Sequence, residues 1–127
     1  MNSETIQFLR DMRDLLEQGW TQLLGATDAE GVEIDACNPE ATCWCLTGAI
    51  DKVVNDAPPL GSSPLIHFEA AAELAKTMEQ DADNRNLFEG VASAFSKLIR
   101  WNDAAGRTQT HVLQCLDTTI NRLKNQT

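Results

Sequence analysis

Between Arg13 and Lys52 the chain contains no basic residue, while the acids Asp14, Glu17, Asp28, Glu30, Glu33, Asp35, Glu40 and Asp51 all fall in that interval. The whole chain carries a net charge of −9 and has a pI near 4.5. This balance opposes ordinary nucleic-acid binding, which draws much of its affinity from Lys and Arg neutralising phosphates. It opposes adhesion to anionic membranes for the same reason. No apolar run approaches the roughly 18 residues needed to span a bilayer. Residues Met1-Asn2-Ser3-Glu4-Thr5 lack the basic segment and apolar core of a signal peptide. A cytoplasmic protein with reduced cysteines is therefore expected. Gly-x-Ser-x-Gly, P-loop and dinucleotide fingerprints are also missing, and Gly61-Ser62-Ser63 lies in a loop with no strand before it.

What is present fits one domain, residues 1–127. A chain of 14.0 kDa is long enough to bury about two-thirds of its unfolded surface without disulfides or metals. An apolar content of 43% with three Trp argues against disorder. The patterning predicts a mainly α (α+β) fold: about five helices in a compact, bundle-like domain, with one short β-hairpin between helices one and two. Helix one is expected to start after the N-cap Ser3, to bury Ile6, Leu9, Met12, Leu15 and Leu16, and to stop at Gly19. Trp20–Ala26 and Val32–Ala36 read as the two strands, joined by turn residues Asp28 to Gly31. Asn38-Pro39 has the cap-then-Pro order of a helix start, with Leu46, Ala49, Ile50, Val53 and Val54 buried. Ala57 to Pro64 is the one clear flexible connection, and Ser63-Pro64 opens helix three with Phe68, Ala71, Ala72, Ala75 and Met78 inward. Helix four carries Leu87, Val91, Ala94, Phe95, Leu98 and Ile99, and Thr108 caps helix five with Val112, Leu113, Leu116, Ile120 and Leu123.

Cys37, Cys43 and Cys45 invite a metal reading. On a helix, residues two apart diverge by about 200°, so Cys43 and Cys45 inside helix two would not share an ion. No Cys-x-x-Cys pair exists and His67 and His111 are distant in sequence, so neither a metal nor a cofactor is expected. Cys45 and Cys115 sit beside apolar stripes and read as small core residues. Cys37, just before the expected helix start, would have its thiol pKa lowered by the dipole, but Asp35 and Glu40 oppose a thiolate. Glu69 and Glu73 share a helix face opposite the Ala-Phe stripe and read as a solvated surface rather than a catalytic pair.

The segment Trp101-Asn102-Asp103-Ala104-Ala105-Gly106-Arg107-Thr108 places unusual hydrogen-bonding equipment between two helices. Asn102 or Asp103 can satisfy orphan backbone groups, Gly106 can take a positive φ, and Arg107 can pair with Asp103 or a neighbouring acid. A functional reading instead makes Trp101 a stacking wall, Asp103 an acceptor and Arg107 an anion clamp. Both readings stand at this point.

This segment, Trp44-Cys45-Leu46-Thr47-Gly48-Ala49-Ile50 and the following Val112-Leu113 and Ile120 together resemble a family of small uncharacterised proteins of actinobacteria, other bacteria and their phages. Gly19-Trp20-Thr21-Gln22 is similar to the region before that family's first motif. The resemblance implies a fold and candidate positions, not an activity. The chain departs from the pattern at His111, where a Glu would complete a capping box with Thr108, so a weaker helix start is expected.

Two function classes follow. The first is a non-enzymatic interaction protein whose Asp28, Glu30, Glu33 and Asp35 meet a basic protein surface, as a phage-related or mobile-element-related inhibitor or accessory factor. The second is a small enzyme or ligand-binding domain with a pocket near Trp44, Trp101, Asp103 and Arg107. Trp20 and Trp44, if exposed, are candidate contacts between copies; the oligomeric state is open.

Overall fold

Residues Asn2–Gln18 form helix α1 in the computed structural model, which describes residues 2–56, 65–84 and 86–126. Ile6, Leu9, Met12 and Leu16 are buried at helical spacing, and Phe8 widens that face. The helix begins at Asn2, so the expected cap Ser3 lies within its first turn. Gly19 ends it, and the Gly19 N–H bonds Leu15 O at 3.2 Å. A Cβ on Gly19 would lie 2.1 Å from Thr42 O, so the close approach of another backbone also requires glycine here.

The expected hairpin follows α1, with different strands. β1 is Ala26–Thr27 and β2 is Cys43–Trp44; they pair antiparallel with Ala26 opposite Trp44 and Thr27 opposite Cys43. The anticipated pairing of residues 20–26 with 32–36 shrinks to an isolated bridge between Thr27 and Glu33 and one bond from Ile34 N to Ala26 O at 3.1 Å. The turn between them is where the sequence placed it. Asp28 Oδ1 accepts from the N–H groups of Glu30 (2.9 Å) and Val32 (3.0 Å), and Gly31 takes φ +80°.

Asn38-Pro39 makes a turn rather than a helix start. Asn38 Oδ1 accepts from Glu40 N at 2.9 Å, and Ala41 N returns to Asn38 O at 3.0 Å. The chain then extends, because Trp44 finds backbone partners: its N–H reaches Gly19 O and its carbonyl accepts from Thr21 N, both at 3.1 Å. Helix α2 therefore runs Leu46–Asp56 only, burying Leu46, Gly48, Ala49, Ile50 and Val53 and leaving Val54 exposed. Its cap is Cys45, whose Sγ accepts from Gly48 N at 3.3 Å.

Helix α3 spans Ile66–Glu79; the expected start at Ser63-Pro64 lies outside the described residues. Its buried stripe is Ile66, Ala70, Ala71, Leu74, Ala75 and Met78. Phe68 and Ala72 are one position off that stripe and are exposed, contrary to expectation. Phe68 instead meets Phe95 edge-on, with ring centroids 5.6 Å apart. A 3₁₀ turn at Ala82–Asn84 precedes helix α4, Ala94–Asn102. Ser93 caps α4 by accepting from Ser96 N, so Leu87 and Val91 fall in the preceding turns, outside the helix expected to hold them. Helix α5 is Gln109–Asn125, capped by Thr108 as expected.

α1 packs against α5, α3 and α2, and α3 also meets α4 and α5. Leu9, Met12, Leu16, Ile50, Leu74, Leu98 and Leu116 are fully buried where these helices converge. Each such side chain contributes about 1.5–3 kcal/mol of transfer free energy. Polar ties fix the rotation of the helices. Arg13 bridges Asp117 and Glu17, both at 2.6 Å, and Gln109 Nε2 donates to Leu16 O (2.7 Å) at the otherwise open end of α1. Among the described residues, no helix is long and apolar enough to cross a membrane.

Candidate functional site

Three places could carry function: the joint at Asn102, a cavity beside Arg107, and the acidic lobe between β1 and β2. At the joint, Asn102 is 1% exposed and ends α4. Its Oδ1 accepts from the Trp20 indole N–H (2.8 Å) and from Leu46 N (3.2 Å). Its Nδ2 donates to Thr21 O (3.1 Å) and to Asp103 Oδ1 (2.9 Å). Every hydrogen-bonding position of the amide is thus used. Gln22 Nε2 adds bonds to Asn102 O and Ala104 O, each 2.9 Å, and Asp103 Oδ1 also accepts from Leu23 N at 2.9 Å. The two sequence motifs do meet here, through a packed hydrogen-bonded seam. Trp44 is buried, with its indole N–H on Ala36 O at 3.0 Å, so it offers no contact surface to a second copy.

Leu23 stands out on this seam. It is 78% exposed and has φ +72°, a left-handed backbone that costs a leucine about 1–2 kcal/mol. The bond from its N–H to Asp103 holds that conformation.

Arg107 faces the other way. Its guanidinium carbon sits 3.9 Å above the Trp101 ring and its Nε donates to Trp101 O at 2.8 Å. It forms no ion pair with Asp103 or with any other acid among the described residues. Trp101 is 5% exposed and its stacking partner is Arg107 itself. Both line a cavity of about 200 Å³ between α3, the 3₁₀ turn and α5, together with Asp81, Asn84, His111 and Cys115. Neither Trp44 nor Asp103 lines it. Burial pushes the Arg107 pKa down, opposed by the nearby Cys115 and by the charge of Asp81. Burial likewise pushes the Cys115 thiol up to about 12, which makes it inert at neutral pH.

His111 corrects an expectation. The capping box is complete: Thr108 Oγ1 accepts from His111 N, and His111 Nδ1 accepts from Thr108 N, both at 3.2 Å. The acceptor is the Nδ1 lone pair, so an anionic residue is unnecessary, and Nε2 is left as the ring's donor.

In the acidic lobe, Glu30, Glu33 and Asp35 are exposed and Asp28 is half-buried in its turn. Among the described residues, none of these four, nor Glu40 or Asp51, has a cation within ion-pair distance; Lys52 turns to Asp56 at 3.1 Å. Asp35 and Asp51 converge on Cys37. Burial, then the charges of Asp35 and Asp51, push the Cys37 thiol up, and burial and Asp35 push the Asp51 carboxyl up. The expected helix start beside Cys37 is absent, since Cys37 lies in a turn, and the expected opposition to a thiolate holds for Asp35, joined by Asp51.

All four cysteines are free. Cys43 lies in β2 and Cys45 just after it, so the helical divergence expected for them does not apply. Among the described residues, no group of three or more His, Cys, Asp or Glu is placed to hold a metal ion. Glu73 is not the solvated residue expected: it accepts from Arg122 Nη1 (3.1 Å) across the α3–α5 seam and from Lys76 of its own helix (2.9 Å), and Glu69 accepts from Thr5 at 3.2 Å.

Leu23, Asp81 and Asn84 are not site candidates in the sequence, and Gln22 and Asp51 enter it only within longer stretches. Each takes its role from a partner about 14 or more residues away or from the shape of the cavity, and local pattern carries no signal of either. Of the residues lining the cavity, Trp101 and Arg107 were candidates from the sequence, and His111 was flagged by its departure from the capping pattern.

The model of a family of unknown function, DUF6197, matches residues 1–122, and the chain belongs to that family. No curated protein and no solved structure matches the chain.

Proposed function

We propose that this member of a family of unknown function is a non-enzymatic interaction protein that binds a basic protein surface through its acidic lobe. The observation that supports this is the contrast in pairing. Glu17, Asp56, Glu73, Glu79 and Asp117 each take an Arg or Lys partner, whereas among the described residues Asp28, Glu30, Glu33, Asp35, Glu40 and Asp51 form no ion pair. Folding has left their charge uncompensated, so a partner's cations meet it without first breaking an ion pair. Val32, 58% exposed between Glu30 and Glu33, supplies an apolar contact in the middle of that charge. A role as an inhibitor or accessory factor of a basic protein, in a phage or mobile-element setting, suits such a face. A cytoplasmic setting is in keeping with four free thiols.

The test uses a Lys- and Arg-rich peptide as probe and compares two triple variants. E30Q/E33Q/D35N removes charge from the lobe, and E4Q/D11N/D14N removes the same charge from the exposed side of α1. The lobe variant is expected to bind more weakly and with a shallower salt dependence, while the α1 variant retains most of its affinity. Equal losses, or binding insensitive to salt, would overturn the assignment.

A further inference from the structure

We propose that the cavity between α3, the 3₁₀ turn and α5 binds a small zwitterionic carboxylate of the α-amino-acid class, its carboxylate on Arg107 and its ammonium on Asp81. Three observations carry this. First, Arg107 is held but not satisfied. Its stacking on Trp101 and its Nε bond fix the plane of the guanidinium, while both Nη groups have no hydrogen-bond partner among the described residues. The other part-buried arginines described, Arg13 and Arg122, both end on carboxylates. In a chain of net charge −9, an unpaired guanidinium on a cavity wall is an anion clamp already in position. Pre-ordering of the fork lowers the entropy cost of closing it on a ligand.

Second, the cavity has donors beyond Arg107. The capping bond of His111 Nδ1 leaves Nε2 as the ring's donor, and that ring lines the cavity. Third, Asp81 lines the same cavity, and among the described residues its side chain is engaged only by the N–H of Asp83, which Oδ1 accepts at 3.0 Å. A phosphate or sulfate would face that carboxylate uncompensated. A ligand carrying its own ammonium would turn the repulsion into a bond. The buried Cys115 thiol and Met78 supply an apolar part of the lining, suited to a small side chain. A volume of about 200 Å³ lies below the roughly 300–1,000 Å³ of drug-sized sites and limits the ligand to a few heavy atoms. The site lies apart from the acidic lobe, so neither assignment depends on the other.

The experiment follows the Arg107 Nε–H, Trp101 indole N–H and His111 amide signals by NMR, with the full chain titrated in turn with L-alanine, acetate, methylammonium and inorganic phosphate. Alanine is expected to give a saturable shift confined to those signals. Acetate should bind about tenfold more weakly for want of one charge-assisted bond, and methylammonium should give no saturable shift. R107K keeps the charge but loses the planar fork, and is expected to weaken alanine by about tenfold or more. D81N can still accept the Asp83 N–H through its side-chain oxygen, so the fold is kept, and alanine and acetate should become equivalent in it. No saturable response to alanine, tighter binding of phosphate than of alanine, or an unchanged preference in D81N would each overturn the proposal.

Discussion

The indole N–H of Trp20 reaches the side-chain oxygen of Asn102 at 2.8 Å, across 82 positions of sequence. That bond ties the segment after α1 to the end of α4, and the same oxygen accepts from Leu46 N at the start of α2. One buried amide therefore sets the mutual position of three elements.

Replacing it removes partners on all sides. Asn102→Ala leaves the Trp20 indole, Leu46 N and Thr21 O without their bonds, at about 1–3 kcal/mol for each buried group left unsatisfied. A total loss above about 3 kcal/mol is expected from urea unfolding. Trp20→Phe, which orphans only part of the network, should cost clearly less. A loss for Asn102→Ala within the roughly 0.5 kcal/mol of an ordinary surface change would sink the hub role.

What was legible in the sequence is what repeats along it. The stripe of α1 and the stripe of α5 recur at helical spacing over many residues, and both helices lie where the pattern placed them. The start of α2 was misread because Asn38-Pro39 serves a turn as well as it serves a helix cap, and only the distant carbonyl of Gly19 decides that Trp44 is extended. For Trp101 to Thr108, the sequence raised the right residues but not their directions. Asp103 turns to the Leu23 backbone and Arg107 to the cavity, so the expected pair is divided between two faces. Side-chain direction at a helix end depends on neighbours that composition does not reveal.

Gly48 tests the second motif. A Cβ there would lie 2.0 Å from the carbonyl oxygen of Gly25, which also accepts from Cys45 N at 3.0 Å. Neither backbone can give without breaking the hairpin, so Gly48→Ala is expected to lower the melting temperature sharply or to prevent folding. Gly25→Ala meets nothing within 4 Å and should melt near the parent. Equal melting temperatures for both variants would contradict the close approach of the two segments.

Glu73 links α3 to α5 with a defined pH signature. Burial pushes its carboxyl up, but the bonds from Lys76 and Arg122 outweigh this, and the net pKa lies below the usual value. A carboxyl depressed by folding stabilises fully above the ordinary range near pH 4.3, and that contribution is lost as pH falls through the folded value. Glu73→Gln should therefore unfold at lower urea than the parent at neutral pH. The gap should close in acid, once the parent carboxyl is protonated. A gap that persists at low pH would show that packing, not charge, is what Glu73 supplies.

Leu23 separates stability from purpose. Its φ of +72° is unfavourable for leucine, and with 78% of its surface exposed the side chain buries little in return. Asn tolerates that backbone region and adds no glycine-like freedom to the unfolded chain, and the N–H to Asp103 is untouched by the change. Leu23→Asn is expected to stabilise the fold by about 0.5–1 kcal/mol in urea unfolding, part of the left-handed cost being relieved. A destabilised variant would mean that the leucine side chain holds the joint. A stabilised one would mean that the chain carries an exposed leucine at a cost in stability, on a loop clamped by Asp103.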